Sequence, residues 1–281
     1  MCPPSPEASA GGSLAGAEAN GRAAGEEAAS PVLTERRGAV LVITLNRPEA
    51  RNAVNLELAQ GVADALELLD GDAELSVGVL YGAGKGFCAG MDLKAFAGGQ
   101  RPWVAGRGFA GIVQQGPRKP LIAAVEGFAV AGGLEVALAC DLIVAAAGAK
   151  LGIPEVKRSL VAAGGALLRL PRRIPYHVAM ELALTGEPIP AERAAELGLV
   201  NRVVAPGEAL ATALALAGEI AANAPLALTA SKRILEEQWD WPTGEAFARQ
   251  SAISEPVFNS EDAREGALAF AEKRAPVWRG R

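Results

Sequence analysis

The amino-acid sequence predicts an α/β fold with a helical C-terminal part, and three observations support this class. Short apolar runs typical of buried strands alternate with segments of helical periodicity over the N-terminal half of the chain. After about residue 164 the pattern becomes helical. Half of the 281 residues are hydrophobic but only 5% are aromatic, so we expect a core of small aliphatic side chains.

The first elements are a hairpin of two strands and a capped helix. Residues 32–46 show apolar alternation around Gly38, which predicts two strands joined by a turn. Asn55 precedes apolar residues at helical spacing, so it is the expected N-cap of a helix that ends at Gly71. The apolar side of this helix is formed by Leu58, Val62, Leu66 and Leu69.

Three more buried strands follow, at residues 76–82, 121–127 and 141–147. A glycine-rich loop running into a helix comes after the first of them, and a short helix beginning at Gly132 comes after the second. Residues 98–107 are expected to form a mobile loop. This alternation of strand and helix is typical of repeated βαβ units.

Five later segments each have an apolar stripe and an end signal, and we predict that they are helices. They span residues 178–186, 190–198, 207–225, 226–238 and 261–274. The domain division that follows is a core at 31–200 and a C-terminal helical region at 201–281. Residues 1–30 are rich in Ala, Gly, Ser, Pro and Glu, which predicts a disordered tail without the features of a secretory signal.

Composition and charge argue against several classes of protein. The net charge of −5 comes from 32 acidic and 27 basic residues without a basic block, so we expect no nucleic-acid partner. No apolar run reaches the roughly 18 residues of a membrane span. Cys2, Cys88 and Cys140 lack metal-ligand spacing and the chain has one histidine, so we expect no metal site and a cytoplasmic location.

Two glycine-led segments are candidates for a ligand site. Residues 88–93 (CAGMDL) and 131–136 (AGGLEV) each follow a buried strand, and each is expected to begin a helix. The first amides of a helix lack partners within it, and glycine lets a ligand approach, so two such segments can bind one negative oxygen. Simple packing of glycine-rich turns is the alternative. The GAGKG segment around Lys85 lacks the residues of a nucleotide-binding P-loop.

Two carboxylates accompany these segments. Glu135 is the only charged residue in the apolar run 127–140, where burying an ion costs several kcal/mol unless it is compensated. A position in the first helical turn offers part of that compensation. Glu155 follows a proline and has a surface pairing with Lys157 or Arg158 as its alternative. Together, two acids beside two amide clusters are typical of proton transfer next to a developing oxyanion.

The sequence resembles the crotonase superfamily, and within it an enoyl-CoA hydratase. The resemblance covers about residues 32–278, through motifs at 45–55, 84–93, 119–142, 151–172, 182–204 and 261–278. It implies a crotonase-like core of repeated ββα units with a C-terminal helical region that trimerises. It also implies a homo-oligomer, a trimer or hexamer, that binds acyl-CoA thioesters. No separate cofactor is implied, because coenzyme A is part of the substrate.

The resemblance also implies roles for individual residues. It places the oxyanion amides at Met91 and Gly132, and the catalytic glutamates at Glu135 and Glu155. In that family the first glutamate activates water and the second delivers the α-proton, an order that the residues by themselves leave open. The residues expected to contact the substrate are Ala89, Gly90, Asp92, Gly133 and Lys273. For Lys273, a solvated charge at a helix end is the alternative.

The presence of both glutamates favours a hydratase, which adds water reversibly to a trans-2-enoyl-CoA, because the isomerases of the family typically keep only the later one. The alternatives are a Δ3,Δ2-enoyl-CoA isomerase, a dehydratase of an unusual acyl-CoA, or a catalytically silent acyl-CoA binder. His177, the one histidine, is expected to pack or lie at the surface. Cys88 and Cys140 are expected to be small core residues rather than nucleophiles.

Overall fold

The computed structural model describes residues 30–281, so the predicted tail at 1–30 lies outside the described residues except for Ser30. In chain order the strands are β1 (Val32–Arg37), β2 (Val40–Leu45), β3 (Val77–Gly82), β4 (Trp103–Val104), β5 (Gly108–Phe109), β6 (Leu121–Val125), β7 (Phe128–Val130), β8 (Leu142–Ala146), β9 (Lys150–Gly152), β10 (Ile189–Pro190) and β11 (Arg202–Val204).

Helices connect and cover these strands. They are α1 (Leu56–Gly71), α2 (Leu93–Ala97), α3 (Gly132–Ala139), α4 (Ala166–Arg173), α5 (Tyr176–Thr185), α6 (Ala191–Glu196), α7 (Ala209–Ala221), α8 (Pro225–Glu237), α9 (Ala246–Phe258) and α10 (Glu261–Glu272).

The strands form one large sheet and two small ones. The large sheet has the order β1-β2-β3-β6-β8-β11, and all its pairs are parallel except the hairpin of β1 and β2. A second sheet has the order β10-β9-β7, and β4 pairs with β5. A strand of the large sheet is twice followed by a strand of the second sheet and then by a helix, in β6-β7-α3 and in β8-β9-α4. This is the repeated ββα arrangement that was expected.

The large sheet is covered on both faces, which explains why its strands are apolar runs rather than alternating ones. Side chains of β3 point alternately to the two sides: Leu80 belongs to the larger core with α1, whereas Val77 and Val79 belong to the core with α7. Three buried alanines of α7, at positions 209, 213 and 217, let this helix lie close to the sheet. Among the described residues, Phe87 and Phe109 are the only buried aromatic side chains, as the composition predicted.

The predicted N-terminal hairpin and first helix are confirmed. The Asn55 side chain accepts a hydrogen bond from the Leu58 amide at 2.9 Å, and α1 ends at Gly71. The expectation of a loop at 98–107 is wrong in part, because β4 lies there and pairs with β5. The ring of Trp103 packs on that of Phe109 with 5.3 Å between centroids, a contact across the hairpin that local composition does not reveal.

The five predicted C-terminal helices are present as α5, α6, α7, α8 and α10. α9 was not predicted, because it contains Pro256 and has no buried residue to mark an apolar stripe. The predicted boundary at residue 200 lies just before β11, which pairs with β8 of the large sheet. No single helix between residues 30 and 281 has the length and hydropathy of a membrane span. Such a length and hydropathy are found only when α7 is taken together with the segment Pro225–Asp240, and a bend of 108° separates these two.

Candidate active site

The first candidate segment is an extended loop rather than a helix start, which corrects the prediction for residues 88–93. Met91 forms an isolated parallel bridge with Val54: the Val54 amide donates to the Gly90 carbonyl at 2.8 Å, and the Asp92 amide donates to the Val54 carbonyl at 2.9 Å. In such a bridge the N–H of the central residue points to the opposite side. The Met91 amide is therefore directed away from Val54.

Asp92 ends this loop and begins α2. Its Oδ1 accepts hydrogen bonds from the amides of Lys94 and Ala95, both at 3.1 Å, and its Oδ2 accepts one from the Arg47 guanidinium at 3.0 Å. Burial opposes the charged form, but the bonds from Ala95, Arg47 and Lys94 outweigh it and lower the pKa of Asp92. The Ala89 amide donates to the Arg51 carbonyl at 3.1 Å, so both ends of the loop are anchored.

The loop lies directly against the start of α3. Gly90 has φ +94°, and a Cβ there would be 2.9 Å from the Gly132 nitrogen and 2.9 Å from the Ala131 Cβ. A Cβ at Gly133 would be 2.7 Å from the carbonyl carbon of Cys88. The absence of side chains at these glycines brings the two predicted amide segments together. Within residues 30–281, the amides of Met91 and Gly132 donate no hydrogen bond to the protein.

An aromatic pair borders the start of α3. A Cβ at Gly132 would be 2.6 Å from two edge carbons of the Phe109 ring, so the edge of this ring lies against the glycine. Phe109 is buried, whereas Trp103, which packs on it, remains 42% exposed. The hairpin of β4 and β5 therefore supplies an aromatic wall beside the Gly132 amide.

Glu135 lies on α3 within the first turn after Gly132, and it is buried with 4% exposure. Its Oε1 accepts a hydrogen bond from the Ala166 amide, the first residue of α4, at 3.2 Å. Burial raises the pKa of Glu135, while the backbone of Ala166 and Gly164 and the charge of Arg169 act in the opposite direction. The α4 start thus stabilises the ionised form of a carboxylate in an apolar environment.

Glu155 lies in the 3₁₀ turn Pro154–Arg158, immediately after β9, and is half-buried. Its Oε2 is the one buried side-chain oxygen or nitrogen of the described chain without a hydrogen-bond partner. Burial, together with the negative charge of Glu135, raises the pKa of Glu155 to about 7. The alternative of a surface ion pair is not formed, because Lys157 pairs with Glu187 and Arg158 makes no ion pair with Glu155 in the described chain.

Pairing of β7 with β9 brings the two glutamates into one environment. Val130 lies opposite Gly152 in this pair, and the Ala131 amide donates to the Gly152 carbonyl at 2.9 Å. The chain then continues from Ala131 into α3 with Glu135, and from Gly152 into the turn with Glu155. The negative charge of Glu135 contributes to the raised pKa of Glu155, in agreement with this placement.

Other predicted residues lie elsewhere. Lys273 is exposed at the C-cap of α10, and no hydrogen bond or ion pair of the described chain connects it to the glutamates. His177 is exposed on α5, as expected. Cys88 and Cys140 are buried, and burial raises the pKa of both thiols, that of Cys88 to about 12. The residues from 30 onwards contain no cluster of His, Cys, Asp and Glu suited to a metal ion.

Arg169 is a residue of this site that the sequence analysis missed. Its guanidinium is partly buried near Glu135, although an arginine within a helix is usually a solvated charge. The sequence feature that could have indicated Arg169 is its position four residues after Gly165, because this spacing places its side chain over the start of α4.

The geometry agrees with the comparison with known proteins. A family described as "Enoyl-CoA hydratase/isomerase" matches residues 35–281. The chain belongs to the enoyl-CoA hydratase/isomerase family. It is 46% identical over 264 residues to "Enoyl-CoA hydratase EchA19" of Mycobacterium tuberculosis, covering 91% of this chain and 98% of that protein. It is 42% identical over 254 residues to "Carnitinyl-CoA dehydratase" of Salmonella typhi, covering 88% of this chain and 97% of that protein.

Solved structures agree with this family. A crystal structure of an enoyl-CoA hydratase from Mycobacterium tuberculosis H37Rv has a TM-score of 0.88 and 60% identity, covering 90% of this chain and all of that chain. A carnitinyl-CoA hydratase from Mycobacterium avium has a TM-score of 0.72 and 46% identity, covering 90% of this chain and 99% of that chain. The predicted crotonase-like fold, and the prediction of an enzyme of the enoyl-CoA hydratase class, are confirmed.

Proposed function

We propose that this member of the enoyl-CoA hydratase/isomerase family adds water reversibly to a trans-2-enoyl-CoA. The observation that carries the proposal is the placement of two carboxylates, Glu135 and Glu155, by the pairing of β7 with β9, together with two neighbouring amides that have no protein partner in the described chain. Hydration needs one group that takes a proton from water and one that supplies a proton to carbon. It also needs donors for the negative charge that develops on the thioester oxygen.

The amides of Met91 and Gly132 are the proposed donors. The thioester oxygen would lie between them, where the contact of Gly90 with the Gly132 backbone brings the two segments together. These amides stabilise the enolate more than the neutral carbonyl, and this difference lowers the barrier. One such donor typically contributes about 2.7–4 kcal/mol to the transition state.

The two carboxylates differ in a way that suggests their roles. Burial raises the pKa of Glu135, but the hydrogen bond from Ala166 and the charge of Arg169 act against this rise and favour the ionised form that can take a proton from water. Glu155 has an oxygen without a donor and a pKa of about 7, which favours the protonated form. Environments that separate two carboxyl groups in this way suggest a base and an acid. We assign water activation to Glu135 and delivery of the α-proton to Glu155.

The remaining predicted contacts belong to the same proposal. Ala89, Gly90 and Gly133 would form the wall against which the thioester packs, and Asp92 would keep their loop in place. Lys273 would contact coenzyme A only across a subunit boundary, because within its own chain it is at the exposed end of α10. In this proposal the thioester supplies the acidity at carbon, so the reaction uses no metal or redox cofactor.

A second candidate is the dehydration of a 3-hydroxyacyl-CoA that carries a cationic group. Relatives named carnitinyl-CoA dehydratase are 42% identical to the chain. The exposed Trp103 ring, which packs on the buried Phe109 beside Gly132, favours this candidate, because aromatic faces bind quaternary ammonium groups. The chemistry would be the same two proton transfers in the reverse direction.

A substrate panel tests both candidates. Trans-2-enoyl-CoA thioesters of increasing length, assayed by loss of enoyl absorbance, should be hydrated by the wild-type protein. Carnitinyl-CoA and 3-hydroxybutyryl-CoA, assayed by gain of that absorbance, separate the two candidates by their kcat/KM. Absence of turnover with every thioester, combined with tight acyl-CoA binding, would identify a silent binder and refute the hydratase proposal.

A further inference from the structure

Arg169 is partly buried and donates two hydrogen bonds to backbone carbonyls, unlike a fully solvated surface arginine. Its Nη2 donates to the Val113 carbonyl at 2.6 Å, and its Nη1 donates to the Gly164 carbonyl at 3.5 Å. It forms no ion pair in the part of the chain that the structure describes. Burial lowers the pKa of Arg169, and the negative charge of Glu135 counteracts that effect.

The backbone of Gly164 and Gly165 lies between this guanidinium and Glu135. A Cβ at Gly164 would be 2.8 Å from the carboxyl carbon of Glu135, and a Cβ at Gly165 would collide with Nη1 of Arg169. Gly165 has φ +103° and is the N-cap residue of α4. The next residue, Ala166, donates its amide to Glu135. One short backbone segment therefore contacts the carboxylate and the guanidinium.

We infer that Arg169 is a positioning residue for Glu135. It fixes the backbone that donates to this carboxylate, and its buried positive charge favours the ionised form. The inference deepens the proposed function and rests on it, because ionisation matters only if Glu135 takes a proton from water. An uncharged donor at position 169 could keep the hydrogen bonds to the Val113 and Gly164 carbonyls, but it would remove the positive charge near Glu135.

The charged groups around Glu135 determine the sign of the expected effect. The charge of Arg169, on α4, lowers the pKa of Glu135. The charge of Glu135 raises the pKa of Glu155, in the turn after β9, and the charge of Arg158 lowers it. Arg169 in turn is coupled to Glu236 of α8 and to the Cys140 thiol. Burial is the largest influence on Glu135 and raises its pKa. Removal of Arg169 should therefore raise the pKa of Glu135 further.

The pH dependence of turnover tests this inference. Arg169→Gln and Arg169→Met remove the charge, and Arg169→Lys keeps it without the planar fork. In both neutral variants the acid limb of the pH profile of kcat/KM should shift to higher pH by about one unit, so that activity on that limb is about tenfold lower. Arg169→Lys should have a lower kcat/KM, but the acid limb of its pH profile should lie near that of the wild type. Arg172→Gln, which removes an exposed charge from the same helix, should change neither quantity.

A titration without substrate separates this inference from the proposed function. The ¹³C resonance of the Glu135 carboxyl group, assigned by its absence in Glu135→Gln, should titrate at higher pH in Arg169→Met than in the wild type. An unchanged titration, or an equal loss of activity at every pH, would mean that Arg169 is only structural and would overturn the inference. If the resonance shifts while the wild type hydrates no enoyl-CoA, the proposed function fails and the coupling of Arg169 to Glu135 stands.

Discussion

The pairing of β7 with β9 connects the segments that carry Glu135 and Glu155, and burial together with the charge of Glu135 raises the pKa of Glu155 to about 7. A group with this pKa exchanges its proton close to neutral pH, which suits an acid that must be reprotonated in each catalytic cycle. The coupling also means that titration of one carboxylate changes the other. The raised pKa of Glu155 also makes the stability of the fold depend on pH.

Replacing Glu155 should stabilise the protein at alkaline pH. The pKa of Glu155 is about 7 in the folded chain and 4.5 is its ordinary value, so the folded state binds more protons between these limits. The stabilisation from the protonated carboxyl is therefore complete below about pH 4.5 and is lost as the pH rises through 7. We expect the melting temperature of Glu155→Gln to exceed that of the wild type at pH 8, with a smaller difference at pH 5.

The matched control for this measurement is Glu74→Gln, which replaces an exposed glutamate in the loop between α1 and β3. Its melting temperature should follow that of the wild type at both pH values. If the difference between Glu155→Gln and the wild type is the same at pH 5 and pH 8, the raised pKa of Glu155 is refuted.

The sequence was sufficient to predict those parts of the site that depend on local signals. The helix beginning at Gly132 and the carboxylate at Glu135 are connected by one helical turn, so their relation follows from the motif itself. The capping of α1 by Asn55 is equally local. By contrast, the short strands β7 and β9 were not predicted, because three residues are too few for a periodic pattern.

The parts that the sequence did not predict depend on contacts between distant segments. Met91 is held extended by Val54, a partner that no local pattern indicates, and the expected helix therefore begins only at Leu93. Glu155 is placed near Glu135 by the pairing of β7 with β9, and its Oε2 has no hydrogen-bond donor in the described chain. In the sequence Arg169 looks like a solvated arginine on a helix surface. The packing of α4 against α3, which the sequence does not indicate, places it near Glu135.

Deleting the Met91 amide should lower turnover while leaving the fold in place. The bridge to Val54 uses the Gly90 carbonyl and the Asp92 amide, so Met91→Pro removes an N–H group without a partner in the described protein. We expect a decrease in kcat of at least ~10²-fold with an enoyl-CoA substrate. Met91→Leu keeps the amide and a side chain of similar volume, and should retain most of the activity. Circular dichroism and acyl-CoA binding would establish that both variants are folded.

A different outcome would relocate the oxyanion site. If Met91→Pro is folded, binds acyl-CoA and turns over at the wild-type rate, the thioester oxygen is not bound by this amide. The Gly132 amide would then have to act with a donor from another segment.

The resemblance to the crotonase superfamily predicts a homo-oligomer, a trimer or hexamer, and the exposed aromatic side chains of the C-terminal helices agree with a surface that a partner covers. Trp239, Phe247, Phe258 and Phe270 are 59%, 81%, 75% and 87% exposed in the single chain. Large contiguous apolar surfaces are uncommon on monomers. Light scattering at micromolar concentration should give a mass of three or six chains of 28.7 kDa. Phe258→Ser combined with Phe270→Ser should lower this mass, whereas Leu33→Ser on the edge strand should not. A monomeric wild type would refute the prediction.

The two glutamates should separate a hydratase from an isomerase. Glu135→Gln keeps the shape and a polar group at this position, but it cannot take a proton from water. If Glu135 activates water, hydration should fall by roughly 10²–10⁴-fold, the usual contribution of one general base. Glu155 and both amides remain in this variant, so exchange of the α-proton of a saturated acyl-CoA with deuterium should survive in part. Glu155→Gln should suppress that exchange as well as hydration.

An isomerase would give the opposite pattern with the same two variants. Migration of the double bond requires only the removal and return of a proton at carbon, so Glu135→Gln would be nearly silent and Glu155→Gln severe. Hydration is measured by loss of enoyl absorbance, exchange by mass spectrometry, and migration with a 3-enoyl-CoA. If Glu135→Gln hydrates a good substrate at the wild-type rate, the mechanism with two carboxylates is wrong. The role of Glu135 would then be only to accept the hydrogen bond from the Ala166 amide at the start of α4.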